Sequence, residues 1–444
     1  MTGGSGALAE LSRAIAALVQ DVPLVRVSGR TTSVTAQAVH IEGLSHFLHV
    51  GSFVTIAAPN GPALAEVIAL DHAVAIAKTM NGETAIPLGT PVWPAGDLTL
   101  WPHADWRGRL INALGQPADM GPALPKGELP VPILQKPPEA MSRRLVSRRV
   151  TTGVRVIDIF TPLCFGQRLG VFAGSGIGKS TLLSMLARSS GFETIVVALV
   201  GERGREVREF VEGALAGLAN QAVIVVSTGD ESPMLRRLAP RTAMALAEFY
   251  SSFGGEVLLI VDSVTRYAHA CRDVSLAAGE PPVARGYPPS VFTDLPQLLE
   301  RAGPGAGGRG SITGIFSVLV DGDDHNDPVA DAIRGTLDGH IVLDRAVAES
   351  GRYPAVDVLA SISRLANRAW TDDQRTAVIQ LRKLVARFED SRDLVAVGGY
   401  QQGTDEELDR AMTIVPKLYG ALNQDPDLPP SKDAFRELAE VLAK

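Results

Sequence analysis

Between the apolar runs Val171–Phe172 and Leu182–Leu183 the chain reads Ala173, Gly174, Ser175, Gly176, Ile177, Gly178, Lys179, Ser180, Thr181. Ala173 is followed by four residues and then by Gly-Lys-Ser, the spacing of a phosphate-binding P-loop. Glycines let successive backbone N–H groups curl around an anion, and a helix that begins near Lys179 adds the positive end of its dipole. In that frame Lys179 reaches the terminal phosphates of a nucleotide and the Ser180 hydroxyl ligates Mg²⁺. The plainer alternative is a glycine-rich turn that merely carries a lysine. It is disfavoured because a strand signal precedes the motif and a helical one follows it.

A phosphate cradle becomes a hydrolase only with two acids. One closes an apolar strand and holds the Mg²⁺ through water, and the segment EVLLIVDS supplies Asp262 for that purpose. The other orients and deprotonates water at the γ-phosphate. In LVGERGREVREF, Glu202 follows the apolar run Ile195–Val200, at the carboxyl end of a strand, where ligands gather in open α/β sheets. That strand is expected beside the P-loop strand in the sheet. The charges after it, Arg205, Glu206, Arg208 and Glu209, read as a solvated helix start laced by salt bridges.

The elements that must position these residues are legible as changes of texture. RLGVFAG, TIVVALVG, AVIVVST, EVLLIVD and GIFSVLV are near-continuous β-branched runs with helical stretches between them, the pattern of a parallel sheet covered on both faces. Upstream, from Leu24 to Val92, short alternating runs separated by turn residues read as a small barrel or sandwich. Leu8, Leu11, Ile15 and Leu18 form the apolar stripe of a short helix ahead of it. The proline-dense stretch from Gly121 to Pro138 reads as an extended connector. Beyond Thr371 strand signals vanish, and Val378, Leu381, Leu384, Val385 and Phe388 trace a helical stripe.

Composition narrows the partners. The chain has 444 residues and a formal net charge of −7, which argues against a surface that lives on nucleic acid or anionic lipid. Cys164 and Cys271 cannot build a disulfide framework, and no Cys/His cluster has metal-ligand spacing. The N-terminus lacks the basic and apolar regions of a signal peptide, and the longest apolar runs are too short to span a bilayer. A cytoplasmic protein is expected, with membrane contact only through partners.

With the P-loop, Glu202 and Asp262 in place, the chain resembles the rotary and export ATPase family that includes the catalytic subunits of F-type and V-type ATPases and the type III secretion ATPases. PAVDVLASIS, Pro354 to Ser363, is similar to that family's signature segment, and WRGRLINALGQPAD to the start of its nucleotide domain. CFGQRLGVFAGSGIGKSTLLSMLA, DSVTRYAHACRD and LVDGDDHNDPVADAIRGTLDGHIVLDR most closely resemble the flagellar protein-export branch, with the virulence injectisome ATPases next.

The resemblance implies a multidomain fold. A partner-docking helix (1–22) precedes a β-barrel (23–95), a RecA-like P-loop α/β domain with a mostly parallel sheet (96–370) and an α-helical C-terminal domain (371–444). It maps the catalytic glutamate onto Glu202, sets Arg203 beside it to pair with charge near the γ-phosphate, and maps the Mg²⁺ acid onto Asp262. It makes Arg364, after SIS, an arginine finger that reaches into a neighbouring subunit. It places Tyr353 against adenine, while the second aromatic wall has no clear match and Tyr400 is the candidate. ATP and ADP with Mg²⁺ are the implied cofactors. The implied partners are copies of the chain in a homo-hexamer, a regulatory or stator subunit at the N-terminal helix, a central stalk-like protein, export-gate membrane proteins, export substrates and chaperones, and no nucleic acid. The implied location is peripheral, at the inner-membrane export apparatus.

Other readings are an injectisome ATPase, a non-catalytic ring subunit, a rotary catalytic subunit and a RecA-like RNA motor. The presence of Glu202 counts against the second. Ser180 in place of threonine and the missing DELSEED-like lever count against the third, and the acidic pI against the fourth. Two decoys are set aside. Asp321–Asp327 resembles a calcium loop, but Asn326 stands at the turn-glycine position and Ala332 at that of the bidentate glutamate, so a loop lining the ring's interior is expected. Arg301–Gly310 is glycine-rich without a phosphate frame and reads as a flexible loop.

Overall fold

The computed structural model describes residues 26–443 except 147, 215–216, 219 and 321–326, together with Ser12. The expected N-terminal helix, its docking role and most of Asp321–Asp327 lie outside the described residues.

Residues up to Asp97 form one compact unit and those from Leu98 a second. In the first, the alternating runs become β1 (Gly29–Val34), β2 (Val39–Glu42), β3 (Phe53–Ile56), β4 (Ala63–Leu70), β5 (Val74–Thr79) and β6 (Pro91–Gly96). They close into an antiparallel barrel of order β1-β2-β5-β4-β3-β6, so no sheet edge is left open. Alternate residues such as Ile41, Val54, Ile56, Val67 and Val92 fill its interior. The run SVTAQAVHI is two strands rather than one. Thr35 bends the chain without glycine or proline, because its Oγ1 accepts the Ala38 N–H at 3.0 Å and its own N–H donates to the Ala38 carbonyl at 2.9 Å.

The second unit opens with a short pair, β7 (Thr99–Leu100) and β9 (Val131–Pro132), the latter inside the proline-dense connector. Its main sheet comprises β8 (Leu110–Asn112), β10 (Arg168–Ala173), β11 (Thr194–Glu202), β12 (Ala222–Thr228), β13 (Val257–Asp262), β14 (Gly303–Pro304), β15 (Ser311–Leu319), β16 (Gly339–Leu343) and β17 (Ile362–Ser363). The order is β17-β16-β10-β15-β13-β11-β12-β8, parallel except for β17, with β14 pairing antiparallel to β15. Helices on both faces cover the central strands, whose residues are buried almost without exception. That is why they read as apolar runs rather than alternations.

Two expectations are corrected here. The strand of Glu202, β11, does not neighbour the P-loop strand β10, since β13 and β15 stand between them. Helical crossovers let strands that follow each other in the chain be placed apart in the sheet, so chain order does not dictate sheet order. Arg301–Gly310 is not simply a loop. Gly303–Pro304 folds back on Ser311–Ile312, and Arg301, 4% exposed, donates to both Glu248 carboxylate oxygens at 2.8 Å.

Helices Asp372–Asp390, Glu406–Leu422 and Ala434–Leu442 end the chain. Thr371 and Gln374 form a reciprocal capping box at the start of the first. Val378, Leu381 and Val385 are buried against Ala411, Val415 and Leu418, with Leu384 and Phe388 half-buried beside them. Among the described residues no helix is long and apolar enough to cross a membrane.

Candidate functional site

The P-loop leaves β10 at Ala173 and ends where Gly178 caps the helix Lys179–Ala187. Gly176 (φ 79°) and Gly178 (φ 92°) are in the left-handed region, which other residues enter only under strain. Leu182, Leu183 and Leu186 anchor the helix in the core, leaving Lys179 and Ser180 at the carboxyl end of the sheet. The Lys179 ammonium contacts Asp262 Oδ1 and lies 4.0 Å from Glu202 Oε1. Asp262, 3% exposed, accepts a further hydrogen bond of 2.8 Å from the Ser317 hydroxyl on β15. A buried carboxylate needs such partners. Ser317 is absent from the sequence reading, because a serine in the middle of an apolar run carries no signal of the acid beside it.

Glu202 reaches the same point from three strands away. Gly201 (φ 71°) forms a bulge against β12 at the end of β11 that turns the next residue toward the P-loop. A Cβ at Gly201 would stand 3.1 Å from Cβ and Cγ of Arg266, so this glycine also lets Arg266 approach. Burial, then the negative charge of Asp262 and a hydrogen bond with Glu206, push the Glu202 carboxyl up to about 7 from 4.5. The same hydrogen bond, and the guanidinium of Arg203 at 3.1 Å, hold Glu206 below its ordinary value.

Glu206 is therefore part of the site rather than of a solvated helix start, whereas Arg205–Glu209 and Arg208–Glu212 are the exposed salt bridges that the sequence suggests. If Glu202 takes a proton from water, it must be ionised in the free enzyme. The expected result is that kcat/KM for ATP falls about tenfold per pH unit as pH drops below about 7, and that Glu202→Gln abolishes this limb in steady-state pH profiles.

A cavity of about 370 Å³ gathers nearly all the candidates. Gly174, Ser175, Gly176, Gly178, Lys179, Ser180, Thr181, Glu202 and Arg203 line it, together with Arg266 and Glu206. Ala173 and Ile177 are buried beneath the loop, and Asp262 borders the adjoining cavity along with Ser180 and Glu202. Arg266, within DSVTRYAHACRD, has no role that the sequence alone suggests; its signal is the position one helical turn after Asp262, at the start of the helix Val264–Ala277.

Tyr353 is 45% exposed, and its ring lies 3.9 Å from where a Gly178 Cβ would stand. Its backbone is held by the helical region, with Tyr353 N–H donating to Asn423 Oδ1 at 2.9 Å and Gln424 N–H to the Tyr353 carbonyl at 2.7 Å. An exposed aromatic at the loop's mouth can stack on a base. Tyr400 instead donates to Asp409 at 2.6 Å and does not line the P-loop cavity.

Arg364 is elsewhere. It follows β17, where Ser363 pairs with Gly339 and the Arg364 N–H donates to the Asp338 carbonyl at 2.9 Å. Because Gly170 pairs with His340, this is the amino end of the sheet, level with Leu169. The P-loop begins after Ala173, about 13 Å of strand further on and across two interstrand spacings of about 4.8 Å. The exposed Arg364 thus leaves the backbone at the opposite end of the sheet from its own phosphate loop.

Comparisons with known proteins show the family to which the chain belongs. The pattern of the ATP synthase alpha/beta family, nucleotide-binding domain, matches residues 153–363, and that of the T3SS EscN ATPase C-terminal domain matches residues 370–440. A flagellum-specific ATP synthase from Rhizobium meliloti is 51% identical over 99% of this chain and 94% of its own. The solved structure of the assembled ATPase EscN from the enteropathogenic E. coli type III secretion system superposes with a TM-score of 0.87 at 36% identity, covering 93% of this chain and all of that one. EscN in complex with its central stalk EscO gives 0.84 over the same spans.

Proposed function

Since the chain belongs to the ATP synthase alpha/beta family, among its flagellum-specific members, we propose that it hydrolyses ATP in a ring of identical subunits to assist type III export of flagellar proteins. The observation that carries hydrolysis is the convergence of Glu202 and Asp262, from the ends of β11 and β13, on Lys179 at the P-loop, and the flagellar assignment rests on the 51% identity with a flagellum-specific relative.

The donor set suits Mg²⁺. That ion takes oxygen ligands, keeps several waters and needs only one or two carboxylates beside substrate phosphates. Ser180 and Asp262 supply a hydroxyl and a carboxylate, and among the described residues no cluster of three or more His, Cys, Asp or Glu could hold a metal alone. Bound there, Mg²⁺ would offset charge on the β- and γ-phosphate oxygens.

Lys179 exchanges its contact with Asp262 for the terminal phosphates. Glu202 accepts the proton of the attacking water, and the exposed Arg203 is free to swing from Glu206 toward developing charge. Tyr353 packs on the adenine. Arg364 serves the next subunit's site, so each active site is completed by a neighbour and the functional unit is a closed ring, read as a homo-hexamer. A stalk-like protein along the ring axis, a stator at the N-terminus and contact with a membrane export gate, where substrates and chaperones are released, complete the assembly at the cytoplasmic face.

Replacing the chain in its own cell by the Lys179→Ala variant tests this. Flagellar subunits in the culture medium should fall while any injectisome cargo is secreted as before. Unchanged flagellar export, or loss of injectisome cargo alone, would overturn the assignment.

A further inference from the structure

The loop that carries Arg364 is fastened to the amino end of its own chain's P-loop strand, through side chains that touch no part of the phosphate cavity. Arg168, the first residue of β10, donates from its backbone N–H to Asp338 Oδ2 at 3.0 Å and from its guanidinium to both Asp338 oxygens, at 3.1 and 3.0 Å. The Asp338 N–H returns a bond to the Arg168 carbonyl at 2.9 Å. Asp338 in turn offers its carbonyl to the Arg364 N–H.

A second tether runs beside the first. Gln167, fully buried, is oriented by the Cys164 N–H at 2.9 Å and donates to the Ser363 hydroxyl at 3.0 Å, which itself donates to the Pro162 carbonyl at 2.8 Å. Gly339 allows the close approach. A Cβ there would meet the Ile362 carbonyl oxygen at 2.5 Å and Ser363 Cα at 3.0 Å.

From this juxtaposition we infer that Asp338 and Gln167, with Arg168 and Ser363, are positioning residues for the reaction. They set the backbone from which Arg364 projects into the neighbouring subunit's site. Two residues of β17 could not hold an arginine in register by ladder hydrogen bonds alone, and a misplacement of about 1 Å can cost a catalytic group roughly a hundredfold in rate. Because β10 starts at this tether and ends at the P-loop, one strand also joins the arginine that a subunit donates to the phosphate loop that the same subunit fills. The inference rests on the reading that Arg364 acts in trans.

The test uses mixed rings of the full chain. Subunits carrying Lys179→Ala can donate Arg364 but cannot hydrolyse, and subunits carrying Arg364→Ala can bind ATP but lack a finger to donate. Mixed at equal ratio, they should regain activity at interfaces that join an intact P-loop to an intact Arg364. Asp338→Asn is then added to one partner at a time. Placed in the donor (Lys179→Ala) subunit it should lower the regained kcat roughly ten- to a hundredfold with little change in KM. Placed in the acceptor (Arg364→Ala) subunit it should leave the regained rate unchanged.

Equal loss in both placements, which a general folding defect would produce, or no loss in either, overturns the inference. Ser363→Ala, which removes the Gln167 tether without adding volume, must show the same donor-only asymmetry and keeps the test open if Asp338→Asn does not fold. No regained activity in the parental mixture would instead remove the in-trans reading itself.

Discussion

Arg364→Ala should reduce ATP turnover of the assembled protein by about 10³- to 10⁵-fold, the range that an arginine finger supplies in phosphoryl transfer. The size of the loss follows from where charge develops. Negative charge spreads over the transferred phosphoryl group, and Lys179 already faces two carboxylates of its own chain. The local acids offset part of the positive charge of Lys179 and Arg203, so a further cation brought from the neighbouring subunit stabilises phosphoryl charge that these leave uncompensated. The location of Arg364 at the far end of its own sheet makes a distinctive demand: the variant should bind ATP with ordinary affinity yet fail to turn over. Nucleotide binding measured by fluorescence, beside steady-state hydrolysis, separates the two. A variant with unchanged kcat would remove the finger from the mechanism, and one that lost ATP binding in the isolated chain would place Arg364 in its own site.

Glu202→Gln is the other large effect, with a fall in kcat of roughly 10²- to 10⁴-fold, as expected for removing a general base. Glutamine has the size of glutamate, so the bulge at Gly201 and the fit beside Lys179 are preserved. The substitution also removes like-charge repulsion with Asp262, one of the causes that hold Glu202 near 7. ATP affinity should therefore be retained or improved, and non-hydrolysing rings should accumulate with nucleotide bound. Light scattering in MgATP checks the second point, since ligand that binds the assembled form stabilises it by mass action. Normal hydrolysis by the variant would transfer the role to another group.

The P-loop, Asp262 and Glu202 were legible in the sequence because each is a local device. A phosphate cradle is built from consecutive backbone amides, and its glycines are required by positive φ angles at Gly176 and Gly178. The two acids each end an apolar run, and a buried parallel strand cannot be written any other way. The N-terminal barrel or sandwich, the α/β sheet and the helical region were legible for the same reason, as three periodicities, while the choice of barrel came from the family resemblance. Glu206 was not, since charges at i and i+4 on a helix look alike whether one of them faces solvent or a cavity. Ser317 and Asp338 gave no signal, because each acts across a strand pair from a segment distant in the chain.

What the sequence determined by itself, then, is the character of single segments: which loop has the glycine pattern of a phosphate cradle, which strands end in acids, which residues form a core. What only the tertiary structure decided is adjacency. Sheet order set β13 and β15 between the P-loop strand and the strand of Glu202, so that Lys179 spans the distance with its side chain. The antiparallel return of β17 carried Arg364 to the opposite end of the sheet and fastened it there through Asp338 and Gln167. The physical reason is that periodicity reports how each residue is buried, whereas crossovers and long-range hydrogen bonds choose which buried neighbours meet, and that choice is made by the whole packed chain at once.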